Sequence, residues 1–556
     1  MVVAAHPLVA VVMSLPHTTR RAYRIWGDMS VLRRWITVGL GFCVAVTAAG
    51  CSGGGGRGSS GSGHAPSGRE TVATAQGPVT GQRTAGGGTS FLGVPYAASP
   101  VGRLRWQPPR PAPSRAGVLA ATRAGHACPQ PDLANTSEDC LVLNIYVPPG
   151  ARADASHLPV LVWLYGGGFL TGQGTDVDGA RLAEQGRLIV VAPNYRLGAL
   201  GFLSLSRMTE STAGPGPGDF GLLDQQAALR WVRANIVGFG GDPARVTLSG
   251  QSAGGASVCA NLVSPSAEGL FQRAVAQSGC AQRLRTRAES DAQGATLAAA
   301  VGCAQPATQL ECLRGTPADQ LVAAANTRRS RLSWEPAVGG TTLPTPILAG
   351  LARLTRRVPV LVGTNRDEGG VFVVPSYDST SKPLSEAGYQ AALTAQFGAA
   401  ATTVAAAYAA GPGVSPGLAL ARAIGDSRFS CRGLSAADLL ARAVPTYAYE
   451  FVDTDAPGRL SATAPFPLGA YHGAEIQYVF PRADSALTGE HAALSETMIR
   501  YWAAFAADGD PNTAGAASWP TYVSGSGRFQ SLDPAGIRTT TSFAADHHCD
   551  FWKQVA

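Results

Sequence analysis

The chain has 556 residues, of which 45% are hydrophobic and 15% are charged, so it can bury a large core and is not an intrinsically disordered protein. Its formal net charge is +7, but five basic residues and one acidic residue precede Cys51, which leaves 39 basic and 36 acidic residues from there onward. This near balance excludes nucleic-acid binding, because affinity for phosphates needs clustered lysine and arginine.

The N-terminal residues 1–50 have the pattern of an export leader. Arg33 and Arg34 precede an apolar run at residues 35–47, and small residues follow it, as in a signal peptide. The run is too short to predict a membrane-spanning helix. Met29 lies just before the arginines and is an alternative start, and the arginine pair matches a twin-arginine signal only in part. We therefore expect an exported protein, extracellular or in the cell envelope.

The segment Ala48–Cys51 resembles a bacterial lipobox, whose cysteine becomes the lipidated N-terminus. It predicts lipidation of Cys51 and a membrane contact through that anchor alone. The alternative is an ordinary secreted protein, because Ala48 departs from the usual Leu, Val or Ile. Residues 51–73 are rich in glycine and serine and are predicted to be a flexible tether.

Residues 74–556 show no repeat and no second linker, and we expect them to form one domain. Short apolar runs rich in β-branched residues predict strands covered on both faces, at residues 159–165, 188–193, 246–249 and 358–363. Helical patterns lie between them, for example at residues 224–233. Strands that alternate with helices predict an α/β fold with a mostly parallel central sheet flanked by helices.

The predicted strand at residues 246–249 runs into Gly250-Gln-Ser-Ala-Gly254 and then into a helix-compatible segment. This is the pattern G-x-S-x-G between a strand and a helix, in which the serine sits on a strained turn. Side chains at positions 250 or 254 would collide with neighbouring backbone. The helix N-terminus favours negative charge near the serine. The pattern therefore predicts that Ser252 is a nucleophile.

With further motifs in the same order, the chain resembles the type-B carboxylesterase/lipase family over about residues 74–553. The additional motifs lie at residues 91–97, 138–146, 194–198, 221–225, 239–243 and 502–512. The resemblance implies the α/β-hydrolase fold and the chain order Ser…Glu…His. It also implies a serine-dependent carboxylic ester hydrolase that acts on small or medium esters through an acyl-enzyme intermediate, with no metal or organic cofactor.

A serine hydroxyl needs a base, and the base needs an orienting carboxylate. His472 is followed by Gly-Ala-Glu, which matches the family's base motif, so His472 is assigned as the base. The segment Asn-Arg-Asp367-Glu368-Gly matches the family's N-x-D-E-G, which places the acid on Glu368 and leaves Asp367 a structural competitor. Three other histidines lie in polar contexts and are expected at the surface: His491, His547 and His548.

The segment Tyr165-Gly-Gly-Gly-Phe169 follows a predicted strand, and its glycines let backbone N–H groups approach a substrate. The resemblance implies that Gly167, Gly168 and Ala253 donate to the oxyanion of the transition state. Many relatives carry histidine where this chain has Tyr165, which leaves the backbone donors in place. A phosphate-binding loop is a poor alternative, because no G-K-[ST] follows.

Eight cysteines follow the tether, and an even number in an exported chain favours disulfides. Close C-x-x-C spacings are absent, so a zinc site is not predicted. The resemblance implies two bridges, Cys303–Cys312 and Cys431–Cys549. The other four cysteines are assigned as Cys128–Cys140 and, as the remaining pair, Cys259–Cys280. The loop between Cys128 and Cys140 has eleven residues and no aromatic one. Choline-binding relatives stack their cationic substrate on a tryptophan in a longer loop at this place, and lid-gated lipases also use a long loop here. The short loop therefore favours an esterase that acts on small esters.

Gln251 stands where the family usually has glutamate. A nearby negative charge favours the imidazolium form, so the glutamine is expected to make His472 harder to protonate. Two other functions stay open: a carbamate or amide hydrolase with the same triad, and a non-catalytic binding protein such as the family members that have lost the triad.

Overall fold

A computed structural model describes residues 70–153, 155–208, 216–326, 332–458, 464–482 and 487–555. The leader, the lipobox-like segment with Cys51 and most of the predicted tether lie outside these residues. The described residues all belong to one unit, Ala65–Ala556. Across these ranges, every helix is too short or too polar to span a bilayer.

The strands, in chain order, are β1 (Thr71–Val72), β2 (Val79–Thr80), β3 (Gln82–Arg83), β4 (Thr89–Pro95), β5 (Leu119–Ala120), β6 (Val142–Val147), β7 (Leu158–Leu164), β8 (Ile189–Pro193), β9 (Gly241–Gln251), β10 (Arg273–Gln277), β11 (Val360–Asn365), β12 (Thr446–Phe451), β13 (Phe529–Leu532) and β14 (Arg538–Thr540). Strands β1, β2 and β5 form a small sheet, and the others form one sheet in the order β14-β13-β12-β11-β10-β9-β7-β8-β6-β4-β3. Pairing is parallel from β8 through to β13 and antiparallel towards both edges.

The helices are α1 (Ala180–Gly186), α2 (Gly198–Phe202), α3 (Phe220–Asn235), α4 (Ala253–Val263), α5 (Arg287–Ala300), α6 (Gln309–Gly315), α7 (Ala318–Ala325), α8 (Ile347–Leu351), α9 (Gly370–Val373), α10 (Glu386–Phe397), α11 (Ala401–Ala407), α12 (Pro416–Gly425), α13 (Cys431–Ala441), α14 (Ile476–Val479), α15 (Gly489–Asp508), α16 (Phe543–Asp546) and α17 (Cys549–Val555). A π-helical turn, Asp426–Ser430, joins α12 to α13. Helices flank the mostly parallel sheet, which confirms the predicted α/β-hydrolase fold.

The continuous apolar runs are strands because both faces of the sheet are covered. In β7, Val160 and Val162 pack into one core, whereas Leu161 and Trp163 pack into the other. Alternate side chains of a strand point to opposite faces, so a strand between two cores has no polar side. The four predicted strands are confirmed as β7, β8, β9 and β11, and the predicted helix lies within α3. Strand β1 lies inside the range assigned to the tether and pairs with β2.

Four disulfides hold connections on this frame, in the pairs that the sequence predicts: Cys128–Cys140, Cys259–Cys280, Cys303–Cys312 and Cys431–Cys549. The last one ties the C-terminal helix α17 to α13, across 118 residues of chain. Disulfides persist in oxidising compartments, so this set is compatible with an extracellular protein.

Candidate active site

Ser252 occupies a strained turn between β9 and α4, with φ 57° and ψ −121°. A non-glycine residue with positive φ is uncommon, and such strain persists only where the surroundings enforce it. A Cβ added at Gly254 would lie 2.0 Å from the carbonyl oxygen of Leu164, and one added at Gly250 would lie 2.6 Å from the carbonyl carbon of Gly254. The predicted need for both glycines is confirmed. The Ser252 N–H donates to the Gln277 carbonyl at 2.9 Å, which fixes the turn against β10.

The predicted functional segments meet at one edge of the sheet. The glycine loop follows β7, Ser252 follows β9, and Glu368 lies three residues beyond β11. These strands are parallel, so their carboxyl ends lie at the same edge, where α/β folds hold their ligand sites.

Glu368 and His472 form a close pair. The Glu368 Oε2 lies 2.5 Å from His472 Nδ1, and the backbone N–H of Asn365 donates to the Glu368 Oε1 at 2.8 Å. Glu368 is fully buried and His472 nearly so. The carboxylate therefore accepts the Nδ1 proton of the ring and leaves the Nε2 lone pair as the basic position.

Asp367, the competitor for the acid position, has another role. Its Oδ2 accepts the N–H of Ala470 at 2.9 Å, and it also pairs with the neighbouring Arg366. This carboxylate links the segment after β11 to the segment before His472. Asp367 is thus a structural residue here, as the sequence suggested.

Gln251 lies between the nucleophile and the base. Its side chain is buried, and its Nε2 is 3.3 Å from His472 Nε2. Since the Nδ1 proton goes to Glu368, the amide N–H donates to the Nε2 lone pair. Among the described residues, His472 Nε2 is hydrogen-bonded to the Gln251 amide and not to the Ser252 hydroxyl. His472 therefore lies beside the turn that carries Ser252, with its Nε2 atom hydrogen-bonded to Gln251.

The proposed oxyanion loop lies against Ser252. A Cβ added at Gly166 would come 3.0 Å from Ser252 Cβ. Gly167 and Gly168 have φ values of 103° and 62°, both are exposed, and neither of their N–H groups donates to another described residue. Ala253 begins α4, where the N–H groups lack intrahelical acceptors. These three N–H groups are free for an anion beside Ser252.

Tyr165 explains how the loop is held without the histidine of many relatives. The Tyr165 hydroxyl donates to the Tyr195 carbonyl at 3.0 Å, and the Tyr195 hydroxyl donates to the Tyr165 carbonyl at 2.7 Å. The two rings stack with centroids 4.3 Å apart. Both residues are buried, so this reciprocal pair fixes the backbone that leads into the glycines.

A second buried carboxylate, Glu475, was given no role by the sequence. Its Oε2 accepts from Asn365 Nδ2 at 2.6 Å and its Oε1 from Gln277 Nε2 at 3.1 Å. Burial and, next, the charge of Glu368 raise the pKa of Glu475 to about 7. Both its oxygens are occupied, so it braces the acid and base segments without competing for the His472 ring. The only signal for it in the sequence is its place three residues after His472.

A cavity of about 470 Å³ opens beside the glycine loop and Gln251. It is bounded by the Cys128–Cys140 loop, including Asp132 and Leu133, and by Asp176. Gln130 pins that short loop, because its side chain both donates to and accepts from the backbone of Gly172.

The other histidines divide differently from the expectation. His548 is exposed and His491 half-buried, bonded to Asp453 at 2.6 Å. The expectation of a surface position for His547 was wrong: it is buried between Asp426 and Glu450. No cluster of three or more metal-ligating side chains occurs in the ranges that the structure describes.

Comparison with known proteins gives a consistent result. The model of the carboxylesterase family matches residues 68–552. The chain is 35% identical over 479 residues to the para-nitrobenzyl esterase of Bacillus subtilis (strain 168), covering 82% of this chain and 92% of that one. It is 37% identical over 471 residues to the fumonisin B1 esterase of Sphingopyxis macrogoltabida, covering 78% and 81%. A solved structure of a PNB esterase superposes with a TM-score of 0.75 at 34% identity, over 88% of this chain and all of that one.

The contact between Gln251 and His472 predicts a pH effect. In Gln251→Glu, a carboxylate replaces the amide beside Nε2 and stabilises the imidazolium, so more alkaline conditions are needed to free the base. The acidic limb of the kcat/KM profile with p-nitrophenyl acetate should move up by about one pH unit. Gln251→Met is the uncharged control and should not move the limb upward. An unmoved or lowered limb in Gln251→Glu contradicts the assignment.

Proposed function

Because the chain belongs to the carboxylesterase family, we propose that Ser252 is its nucleophile, His472 its base and Glu368 the acid that orients the base. The chain is a carboxylic ester hydrolase. The observation that carries the residue assignment is the arrangement at the sheet edge: a serine on a strained turn, a histidine paired to a buried carboxylate at 2.5 Å, and free N–H groups beside the serine. The proposed substrates are small and medium esters.

Acylation follows from these positions. When an ester enters, His472 Nε2 exchanges Gln251 for the Ser252 hydroxyl and takes its proton as Oγ bonds to the carbonyl carbon. Catalytic hydrogen bonds often tighten only in the substrate complex, which accords with the resting contact to Gln251. Glu368 stabilises the imidazolium. The bond between the carbonyl carbon and the ester oxygen then breaks, and the His472 imidazolium gives its proton to that oxygen, which leaves as the alcohol.

The oxyanion of each tetrahedral intermediate is proposed to accept from Gly167, Gly168 and Ala253. One such donor typically contributes about 10²–10³ in rate. In deacylation, His472 removes a proton from water, the hydroxide oxygen bonds to the acyl carbon, and Ser252 leaves with the proton that His472 returns. Each step is balanced by this chain and water.

The proposed substrate range rests on the cavity and the relatives. The cavity of about 470 Å³ borders Gly166, Gly167 and Gln251, although Ser252 and His472 are not among its lining residues, and its volume falls within the ~300–1,000 Å³ usual for ligand pockets. Two relatives are named para-nitrobenzyl esterase and fumonisin B1 esterase, and these names indicate different ester substrates. Carbamate or amide cleavage would use the same residues and is separated from ester cleavage by assay.

The test is titration of the acyl-enzyme. Purified protein and p-nitrophenyl acetate should give a burst of one p-nitrophenolate per active site, followed by steady turnover. Ser252→Ala should lose the burst and at least about 10³-fold in kcat, because the nucleophile is removed. Ser257→Ala, on the next turn of α4, is the matched control and should keep the burst.

A series of p-nitrophenyl esters from acetate to palmitate, with matched anilides and carbamates, measures the range. Highest kcat/KM on acetate to octanoate esters supports the proposal. Absence of turnover in wild-type protein, or a burst that survives Ser252→Ala, rules out the assigned chemistry.

We also propose that the chain is exported and anchored to a membrane by lipid on Cys51, with residues 1–50 as leader, a tether that starts at Cys51 and ends before β1 (Thr71–Val72), and the catalytic domain from β1 onward. The lipobox-like segment and the following Gly/Ser stretch support this, and the four disulfides are compatible with an oxidising compartment.

Labelling with radioactive palmitate in a bacterial host tests the anchor. The full chain should carry label and sediment with membranes. Cys51→Ser should lose both properties, because the modified sulfur is removed. Cys43→Ser, within the apolar run, is the control and should keep them. Unlabelled wild-type protein, or label that persists in Cys51→Ser, contradicts the anchor.

A further inference from the structure

One interrupted helix contacts the segments of both proposed triad partners. It consists of α12, the π-helical turn Asp426–Ser430 and α13, and we call it the π-turn helix. Single π-turns inside α-helices are rare and are frequent at functional sites. None of its residues takes part in the proposed reaction steps.

The first half of the π-turn helix packs on the acid segment. A Cβ added at Gly369 would lie 1.8 Å from the carbonyl oxygen of Ala421 and 2.9 Å from the backbone nitrogen of Gly425. One added at Gly425 would come 3.4 Å from Glu368 Cβ. The helix backbone thus sits directly against the backbone of Glu368 and Gly369, and a shift of the helix would displace the acid.

The π-turn itself packs on the base. The ring of Phe429 lies 4.6 Å from the ring of His472, and Phe372 lies 5.1 Å from it. The two phenylalanine rings stack at 5.4 Å. Aromatic rings at such distances attract and restrict one another, so Phe429 limits the orientations of the imidazole.

A buried charged cluster holds the π-turn from behind. His547 Nδ1 lies 2.5 Å from Asp426 Oδ1, in the π-turn, and His547 Nε2 lies 2.8 Å from Glu450 Oε1, on β12. Burial alone would lower the pKa of His547, but hydrogen bonds and charge from both carboxylates outweigh it and raise the pKa to about 10. His547 is therefore a cation at neutral pH that ties the π-turn to the central sheet.

Two further links act at the same place. The Tyr408 hydroxyl donates to Asp426 Oδ2 at 2.8 Å and accepts from Trp552 Nε1 at 2.7 Å. The Cys431–Cys549 disulfide joins the residue after the π-turn to the start of α17. Two residues near the C-terminus, His547 and Cys549, thus bond to Asp426 in the π-turn and to Cys431 directly after it.

We propose that His547 is a positioning residue for ester hydrolysis: clamped between Asp426 and Glu450, it sets the π-turn so that Phe429 holds the His472 ring in its productive orientation. This rests on the proposed role of His472. A buried cluster could serve stability alone, since an unpaired buried charge is costly. The positional role differs because its loss acts on kcat through Phe429.

The test is a double-mutant cycle with His547→Gln and Phe429→Leu. His547→Gln leaves two buried carboxylates without their cation, so the π-turn shifts. We expect kcat on p-nitrophenyl acetate to fall about 10-fold, with KM within about 2-fold, since small misplacements of catalytic groups are costly. Phe429→Leu should give a similar loss. The double variant should lose no more than Phe429→Leu alone, because both act through one contact.

Each rate is divided by the concentration of active sites that the burst titrates. If wild-type protein gives no burst, the proposed function fails. If wild-type protein gives a burst but the variants keep wild-type kcat, this inference alone fails. Leu182→Ala is the stability control. It lies in α1, in the core that does not include α12, and should lower thermal stability without lowering kcat.

A wild-type kcat in folded His547→Gln overturns the proposal. A double variant whose kcat falls about 100-fold also overturns it, because the two substitutions would then act independently. If His547→Gln does not fold, Tyr408→Phe keeps the cluster's charge and removes the hydroxyl that donates to Asp426 and accepts from Trp552. Its kcat should fall about 3-fold and not fall further in the Phe429→Leu background. An unchanged kcat in Tyr408→Phe would then overturn the inference.

Discussion

The positive φ of Ser252 is the constraint on which the rest of the site depends. The turn exists because two glycines admit the backbone of Leu164 and Gly254, and because β10 accepts the Ser252 N–H. Its conformation costs ~1–3 kcal/mol, which the buried parallel sheet can bear. The serine thereby sits at the start of α4, next to the glycine loop.

Around this turn, buried ionisable groups are paired with two partners each. Glu368 has His472 and a backbone N–H, Glu475 has two amides, and His547 has two carboxylates. In a medium of low dielectric, such pairs are strong and unpaired members are costly. These partners restrict the side chains of the site from reorienting, so a small shift of the backbone that carries them would displace the reacting groups.

Local patterns predicted much of this arrangement. The strand, turn and helix around Ser252 follow from a short run of sequence, and the Glu368 and His472 segments match short motifs in the expected order. The sequence did not predict His547, which was expected at the surface, because its partners lie 121 and 97 residues away and its neighbours are polar. The Tyr165–Tyr195 pair and the contact of Gln251 with His472 are likewise tertiary, so no local periodicity records them.

The most direct measurement of the central claim is a crystal structure after reaction with a p-nitrophenyl alkylphosphonate. Attack by the nucleophile expels p-nitrophenolate and leaves phosphorus bonded to it. We expect the phosphorus bond at Ser252 Oγ, with the phosphoryl oxygen about 2.7–3.1 Å from the nitrogens of Gly167, Gly168 and Ala253. An adduct on another residue, or a phosphoryl oxygen turned to solvent away from these nitrogens, would contradict it.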